Sequence, residues 1–266
     1  GQYYPAKSPI HRMDPRTKLF GTLIFIISVF LFHSVAGYAV ATLFLAGMII
    51  ISQVPVKFIF KGLKAIFMIL MITMVFNILL TPGEVLWKIG IFKITREGIS
   101  MAVRMAIRLV YLVIGSSLMT LTTTPNQLTD GLEKSLRPLN KIHIPVHEIA
   151  MMMSIALRFI PILLEETDKI MKAQIARGAD FESGNLIQKV KNMVPLLVPL
   201  FISAFRRAND LAMAMEARCY RGGEGRTKMK PLVYQSRDYI AYAITIVYMV
   251  AVIVIGRLVP FKVWIF

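Results

Sequence analysis

The sequence predicts an all-α integral membrane protein with about five transmembrane helices and a set of long amphipathic cytoplasmic helices. Three observations carry this. Of the 266 residues, 56% are hydrophobic and only 17% are charged, against roughly 25% charged in soluble domains; mean hydropathy is +0.63. Apolar runs of 15 to 21 residues recur along the chain, near the roughly 20 needed to cross a hydrocarbon core about 30 Å thick. The 31 Lys/Arg outnumber the 15 Asp/Glu for a net charge of +16, and many sit in short stretches between apolar runs, as in cytoplasmic loops. An ordinary soluble domain and a disordered chain are excluded. With Cys219 the only cysteine, so is a disulfide scaffold. Nucleic acid is not an expected partner, because loop placement and an anionic leaflet account for the charge.

The elements follow in order. Leu19–His33 and Gly37–Val54 are two apolar runs joined by a break too short for more than a tight turn, hence a helical hairpin. No small-residue cleavage site follows the first run, so a removable signal peptide is not expected. Leu63–Thr81 is the third span, closed by Thr81-Pro82-Gly83. A more polar stretch, Glu84–Gly98, contains Trp87, a residue suited to a membrane interface. Ala102–Thr122 is the fourth span; Arg104 and Arg108 near its start are expected to snorkel or to face protein. Tyr239–Val259 is the fifth. Lys7, Arg12, Arg16 and Lys18 precede the first span, the first turn has no Lys or Arg, and Lys57, Lys61 and Lys64 follow the second. This asymmetry predicts a cytoplasmic amino terminus, although Lys88, Lys93 and Arg96 in the third loop weaken the pattern.

Thr123–Arg237 carries 17 Lys/Arg and 11 Asp/Glu, a net +6, and is rich in helix formers. Pro125 starts a helix and Pro138 ends it. A second helix runs from about Val146 to Arg177, about 48 Å long and kinked at Pro161. A third runs from about Asn185 to Tyr220 with Pro195 and Pro199 inside it. Each long helix is apolar first (Ile149–Leu157, Met193–Phe205) and polar later. Thirteen apolar residues are too few to span, so the helices are expected to lie at the membrane face or dip into it, with their charged ends in the cytosol. Two further spans are the alternative. The expected organisation is residues 1–122, an amino-terminal segment and four spans; 123–237, a cytoplasmic helical domain; and 238–266, the last span.

The two long helices end alike, in Ala176-Arg177-Gly178 and Ala217-Arg218-Cys219, 41 residues apart. One arginine at a helix carboxyl end is commonly a partner for free carbonyls and the dipole. A matched pair invites a second reading. Small neighbours let a partner's backbone approach, and the guanidinium then protrudes as a planar fork suited to a carboxylate. Two such plugs require two grooves, hence two similar partner subunits.

These motifs resemble the paired Ala-Arg-Gly motifs of the transmembrane T component of energy-coupling factor (ECF) transporters. The run Ile10-His11-Arg12-Met13-Asp14-Pro15-Arg16-Thr17-Lys18-Leu19 resembles that family's opening, and the order of elements agrees over nearly the whole chain. Cys219 departs from the family's usual Gly or Ser but is still small. The resemblance implies a protein without chemistry of its own. It couples two cytosolic ABC ATPases to a small membrane S component that binds a vitamin or metal ion, in the cytoplasmic membrane of a prokaryotic cell. The chain itself then needs no cofactor and no metal, ATP and Mg being bound by the partner subunits. Carried over by residue, Arg177 and Arg218 dock in the ATPase grooves and Ala176, Gly178, Ala217 and Cys219 give clearance. Asp14, Pro15 and Arg16 match the opening motif and are expected to form a structural cap and ion pair. Methionines on the long helices, Met151, Met152, Met153 and Met193 foremost, suit an adaptable surface for S components, though ordinary apolar packing explains any single one equally well.

Two other readings are weaker. An intramembrane metalloprotease could draw on His143, His147, Glu165 and Glu166, but Pro145 interrupts the HxxxH spacing, and the Glu pair reads more simply as a solvated face. A self-contained transporter or channel normally shows repeats or several ionisable, broken spans; here Asn77 is the notable polar residue, expected to bond between helices. Gly222–Thr227 lacks the spacing and the preceding strand of a P-loop.

Overall fold

The computed structural model describes residues 3–31, 34–89, 92–181, 185–222, 229 and 231–258. The described residues form eight α-helices, a two-stranded hairpin and one 3-10 turn. They fall into two compact units, residues 1–135 with 232–266, and residues 136–231. The expected break between His33 and Gly37 and the Gly-rich segment after Gly222 lie partly outside the described residues.

In the first unit, α1 is Pro15–Leu31, α2 Val35–Ser52, α3 Val56–Leu80, α4 Arg96–Thr122, α5 Pro125–Leu136 and α8 Ser236–Leu258. Side chains that satisfy orphan amides set several starts. The Ser34 hydroxyl accepts from Gly37 N at the head of α2, and the Thr95 hydroxyl does the same for Gly98 N at α4. At α5 the pairing is reciprocal: Gln127 N donates to Thr124 Oγ1 (3.3 Å) and Thr124 N to Gln127 Oε1 (3.2 Å), a capping box with Pro125 at the first helical position, where its missing N–H costs nothing.

The stretch between α3 and α4 is a hairpin. β1 (Val85–Ile89) pairs antiparallel with β2 (Phe92–Thr95). Thr95 Oγ1 also donates to Thr81 O (2.8 Å) and Glu84 N to Glu97 Oε2 (2.8 Å), which close the hairpin onto the ends of both helices. Asn77 corrects an expectation. Its Nδ2 donates to Thr73 O one turn back in its own helix, 2.7 Å away. Among the described residues this hydrogen bond stays within α3.

The core of this unit gathers Phe25 and Val29 of α1, Tyr38, Ala41 and Leu45 of α2, and Tyr248 and Val252 of α8. Phe44 stacks on Tyr248 at 4.2 Å between ring centroids, and Ser28 Oγ lies 2.7 Å from the Tyr248 hydroxyl. With no hydrophobic drive between helices in lipid, small residues allow the close approach. A Cβ on Gly115 of α4 would lie 2.6 Å from the Phe25 ring.

By length and apolarity α2, α4, α6 and α8 can each cross a membrane, and α3 makes a fifth if its two halves, which meet at 56°, are one broken span. The described part of α1 has 17 residues, about 25 Å of helix.

In the second unit a 3-10 turn (Arg137–Ile142) leads into α6 (Val146–Ala176), and α7 is Leu186–Ala217. The α6–α7 contact is antiparallel. Gln174 of α6 meets Pro195 of α7 and, two turns back, Glu166 meets Arg207. Pro161 lies within α6, and Pro195 and Pro199 within α7.

Candidate functional site

The ends of α6 and α7 are built alike, and the backbone explains their sequence. Arg177 has φ −90° and ψ 5°; Arg218 has φ −91° and ψ 13°. The next residue is left-handed in each, Gly178 at φ 88° and Cys219 at φ 55°. Gly178 N donates to Ile175 O (2.9 Å) and Ala179 N to Gln174 O (3.0 Å); Cys219 N donates to Glu216 O (2.8 Å) and Tyr220 N to Met215 O (3.0 Å). Both patterns are Schellman caps, with the 6→1 bond and the 5→2 bond each made.

The small residue after each arginine therefore has a backbone task. It must turn left-handed, which glycine does at no steric cost and cysteine at roughly 1 kcal/mol or more. Ala176, Arg177 and Gly178 are exposed, as are Ala217, Arg218 and Cys219. The arginines also stand where a cation complements the negative end of the helix dipole. Because α6 and α7 run in opposite senses, their carboxyl ends leave the crossing on opposite sides. The unit thus presents two separate guanidinium forks.

Of the four singled-out methionines, Met152, Met153 and Met193 are exposed, at 58%, 44% and 45%, and Met151 is half-buried. Phe201 and Phe205 extend the exposed apolar face of α7, their rings 4.9 Å apart. Glu165 is exposed, but Glu166 is not simply solvated. It accepts a hydrogen bond from Arg207 Nη2. Glu165 lies eighteen residues along α6 from His147, about 27 Å, and among the described residues no three His, Cys, Asp or Glu come together.

The opening motif makes a separate polar cluster in the first unit. Asp14 accepts Arg16 N at 2.9 Å, Arg16 Nε at 3.0 Å and Arg16 Nη2 at 2.8 Å. It thus caps α1 ahead of Pro15 and holds a bidentate ion pair. Asp14 N donates to Asp238 Oδ1 (2.8 Å) and Gln235 N to Asp238 Oδ2 (2.8 Å); Asp238 is 1% exposed. The Arg16 guanidinium lies 3.8 Å over the Tyr234 ring. Burial alone would raise the Asp14 carboxyl, but Arg16's hydrogen bonds and charge outweigh it and hold the group below its ordinary value. Ahead of the apolar run, Lys18 Nζ donates to Thr122 O (2.8 Å) and His11 O (3.3 Å), and burial pushes its pKa down to about 8.

Asp14, Pro15 and Arg16 are legible in the sequence, but their partners Asp238 and Tyr234, and the Thr122 carbonyl that holds Lys18, are not. Asp238 is the lone acid heading the last apolar run. That is a signal, although a pairing 224 residues away cannot be read from it.

Residues 6–229 match the family CbiQ, described as cobalt transport protein. The chain is 56% identical over 260 residues to the energy-coupling factor transporter transmembrane protein EcfT of Clostridium kluyveri, covering 97% of this chain and 96% of the relative. It is 55% identical over 253 residues to that of Ruminiclostridium cellulolyticum, covering 95% of each. To that of Bacillus subtilis it is 52% identical over 239 residues, covering 90% of each.

Proposed function

The chain belongs to the CbiQ family of transmembrane components of energy-coupling factor transporters, and from that premise we propose that it is the scaffold of a micronutrient importer. It couples ATP hydrolysis by two cytosolic ABC ATPases to movement of a small membrane S component that binds a vitamin or other micronutrient. The ATPases bind ATP and Mg; this chain contributes contacts and motion, and no catalytic group. The observation that carries the reading is the pair of matched helix ends, each an exposed arginine held by the same cap.

Each arginine docks in one ATPase, where its fork meets a carboxylate. Ala176 and Ala217 leave room for the partner's backbone, and Gly178 and Cys219 turn the chain away from it. The exposed methionines at 152, 153 and 193, with Met151, provide the adaptable face for the S component. Exposed Lys57, Lys61 and Lys64 on α3 support an inside placement of that helix start and of the amino terminus.

Purification of the tagged chain from membranes in mild detergent tests this. Two ATPases and a small membrane protein should accompany the wild type, and both ATPases should be lost from Arg177→Ala/Arg218→Ala while the chain stays membrane-inserted. A wild-type chain that purifies alone and monodisperse overturns the reading.

A further inference from the structure

We infer that Glu166, Arg207 and Gln174, with the backbone carbonyl of Pro195, form a polar lock at the α6–α7 crossing that makes the two arginine-bearing ends move as one body. The inference rests on the docking role proposed above for those ends.

Both helices are weakened by proline. Pro199 has no N–H, so the carbonyl four residues earlier, that of Pro195, loses its helical partner. Gln174 Nε2 reaches across from α6 and donates to that oxygen at 3.3 Å. A break in α7 is thereby tied to the neighbouring helix. Two turns away Arg207 Nη2 donates to Glu166 Oε2, with the two side chains only 37% and 28% exposed. Apolar contacts resist sliding poorly; a directional polar tie fixes register. Two ties at separate points along the contact also restrain the crossing angle.

The position of the ion pair is the telling feature. Glu166 stands eleven residues before Arg177, and Arg207 eleven before Arg218. Each arm is about 16 Å of helix. A pivot at equal distance from both ends converts a displacement of one arginine into an equal displacement of the other. The two ends therefore answer their subunits as a single rotation of the helix pair. Glu166, Arg207 and Gln174 are thus positioning residues, which touch neither nucleotide nor substrate.

The test has two arms. In the first, spin labels are placed at Ile175→Cys and Met213→Cys in a Cys219→Ser background, and distances are measured by double electron–electron resonance on the isolated full chain in nanodiscs. The distribution should be narrow with the lock intact and should broaden in Glu166→Gln and in Gln174→Ala. In the second, unlabelled variants are assayed in the complex. Glu166→Gln and Arg207→Gln should retain both ATPases and their hydrolysis, while uptake falls about fivefold or more. The exchange Glu166→Arg/Arg207→Glu should restore most of it. An unchanged distance distribution overturns the lock. So does wild-type uptake in Glu166→Gln, or loss of uptake that the exchange fails to rescue. A broadened distribution in a chain that recruits no ATPase leaves the lock standing as structure and overturns the docking role instead.

Discussion

Arg177 and Arg218 occupy the same backbone conformation, within one degree in φ and eight in ψ, at the ends of two helices that run in opposite directions. Within the two tripeptides only the residue that follows differs, Gly178 against Cys219. Identical presentation from a non-identical sequence separates what the backbone needs from what a partner needs.

The fork itself can be tested apart from charge. Arg177→Lys and Arg218→Lys keep a cation but lose bidentate geometry. Each should retain measurable uptake, whereas each alanine variant should lose about a hundredfold or more if the docking proposed above leaves a buried carboxylate unpaired. Equal uptake by the lysine variant and wild type argues against a bidentate contact.

Cys219→Gly should raise stability by about 1 kcal/mol, because the left-handed backbone no longer carries a Cβ. Gly178→Ala should lower it by a similar amount. A Cβ at Gly178 meets nothing within 4 Å, so that cost is local to its own backbone and not a clash with a neighbour. Thermal unfolding in detergent reads both, as a Tm shift of about 2–4 °C. Unchanged Tm in both variants contradicts the cap assignment.

Stability should fall with acidification through the environment of His11. Burial lowers its pKa below 6.5, and the nearby Lys18 charge lowers it further, against the raising effect of the Tyr4 carbonyl. Ser8 Oγ lies 2.7 Å from Nδ1 and Tyr4 O 2.9 Å from Nε2, so the neutral ring donates at Nε2 and accepts at Nδ1. The unfolded chain takes up a proton first. Stability is therefore complete above pH 6.5 and is lost as pH falls toward the lower folded value. Unfolding in detergent from pH 7.5 to 5 should show this slope in the wild type and a flatter one in His11→Gln.

Gly115→Ala should destabilise the α1–α4 contact by about 1–3 kcal/mol, since its methyl would meet the Phe25 ring at 2.6 Å. Phe25→Leu should recover part of that loss, seen as coupling in a double-mutant cycle. Strict additivity of the two changes would show that the contact is not the cause.

Much of this architecture is legible because it is local. The spans are read from run length, and the helix ends from Ala-Arg-Gly and Ala-Arg-Cys, since a Schellman cap closes within six residues. The resemblance to T components is carried by the same short motifs. The hairpin at Val85–Thr95 is harder. Within that more polar stretch Val85, Leu86, Trp87, Ile89, Phe92 and Ile94 are broken by Lys88 and Lys93 out of step with a period of two, which hides the alternation of strands. Glu166 reads as one of several charges on a solvated face, because nothing local says which charge turns toward α7. Asn77 reads as a bridge between helices; the carbonyl of Thr73, four residues back, satisfies it first. Gln174 and Pro195 find each other only after both helices exist.

The tie between Asp14 and Asp238 also has a meaning in the order of synthesis. A ribosome delivers Asp14 first, and another 224 residues must follow before the carboxylate that accepts its amide exists. Until α8 arrives, the amino-terminal segment has its own cap and ion pair but no anchor at the far end of the chain. Closure of this contact therefore reports that the last helix has been made and seated. A chain truncated ahead of α8 leaves the Asp14 amide without the carboxylate that accepts it.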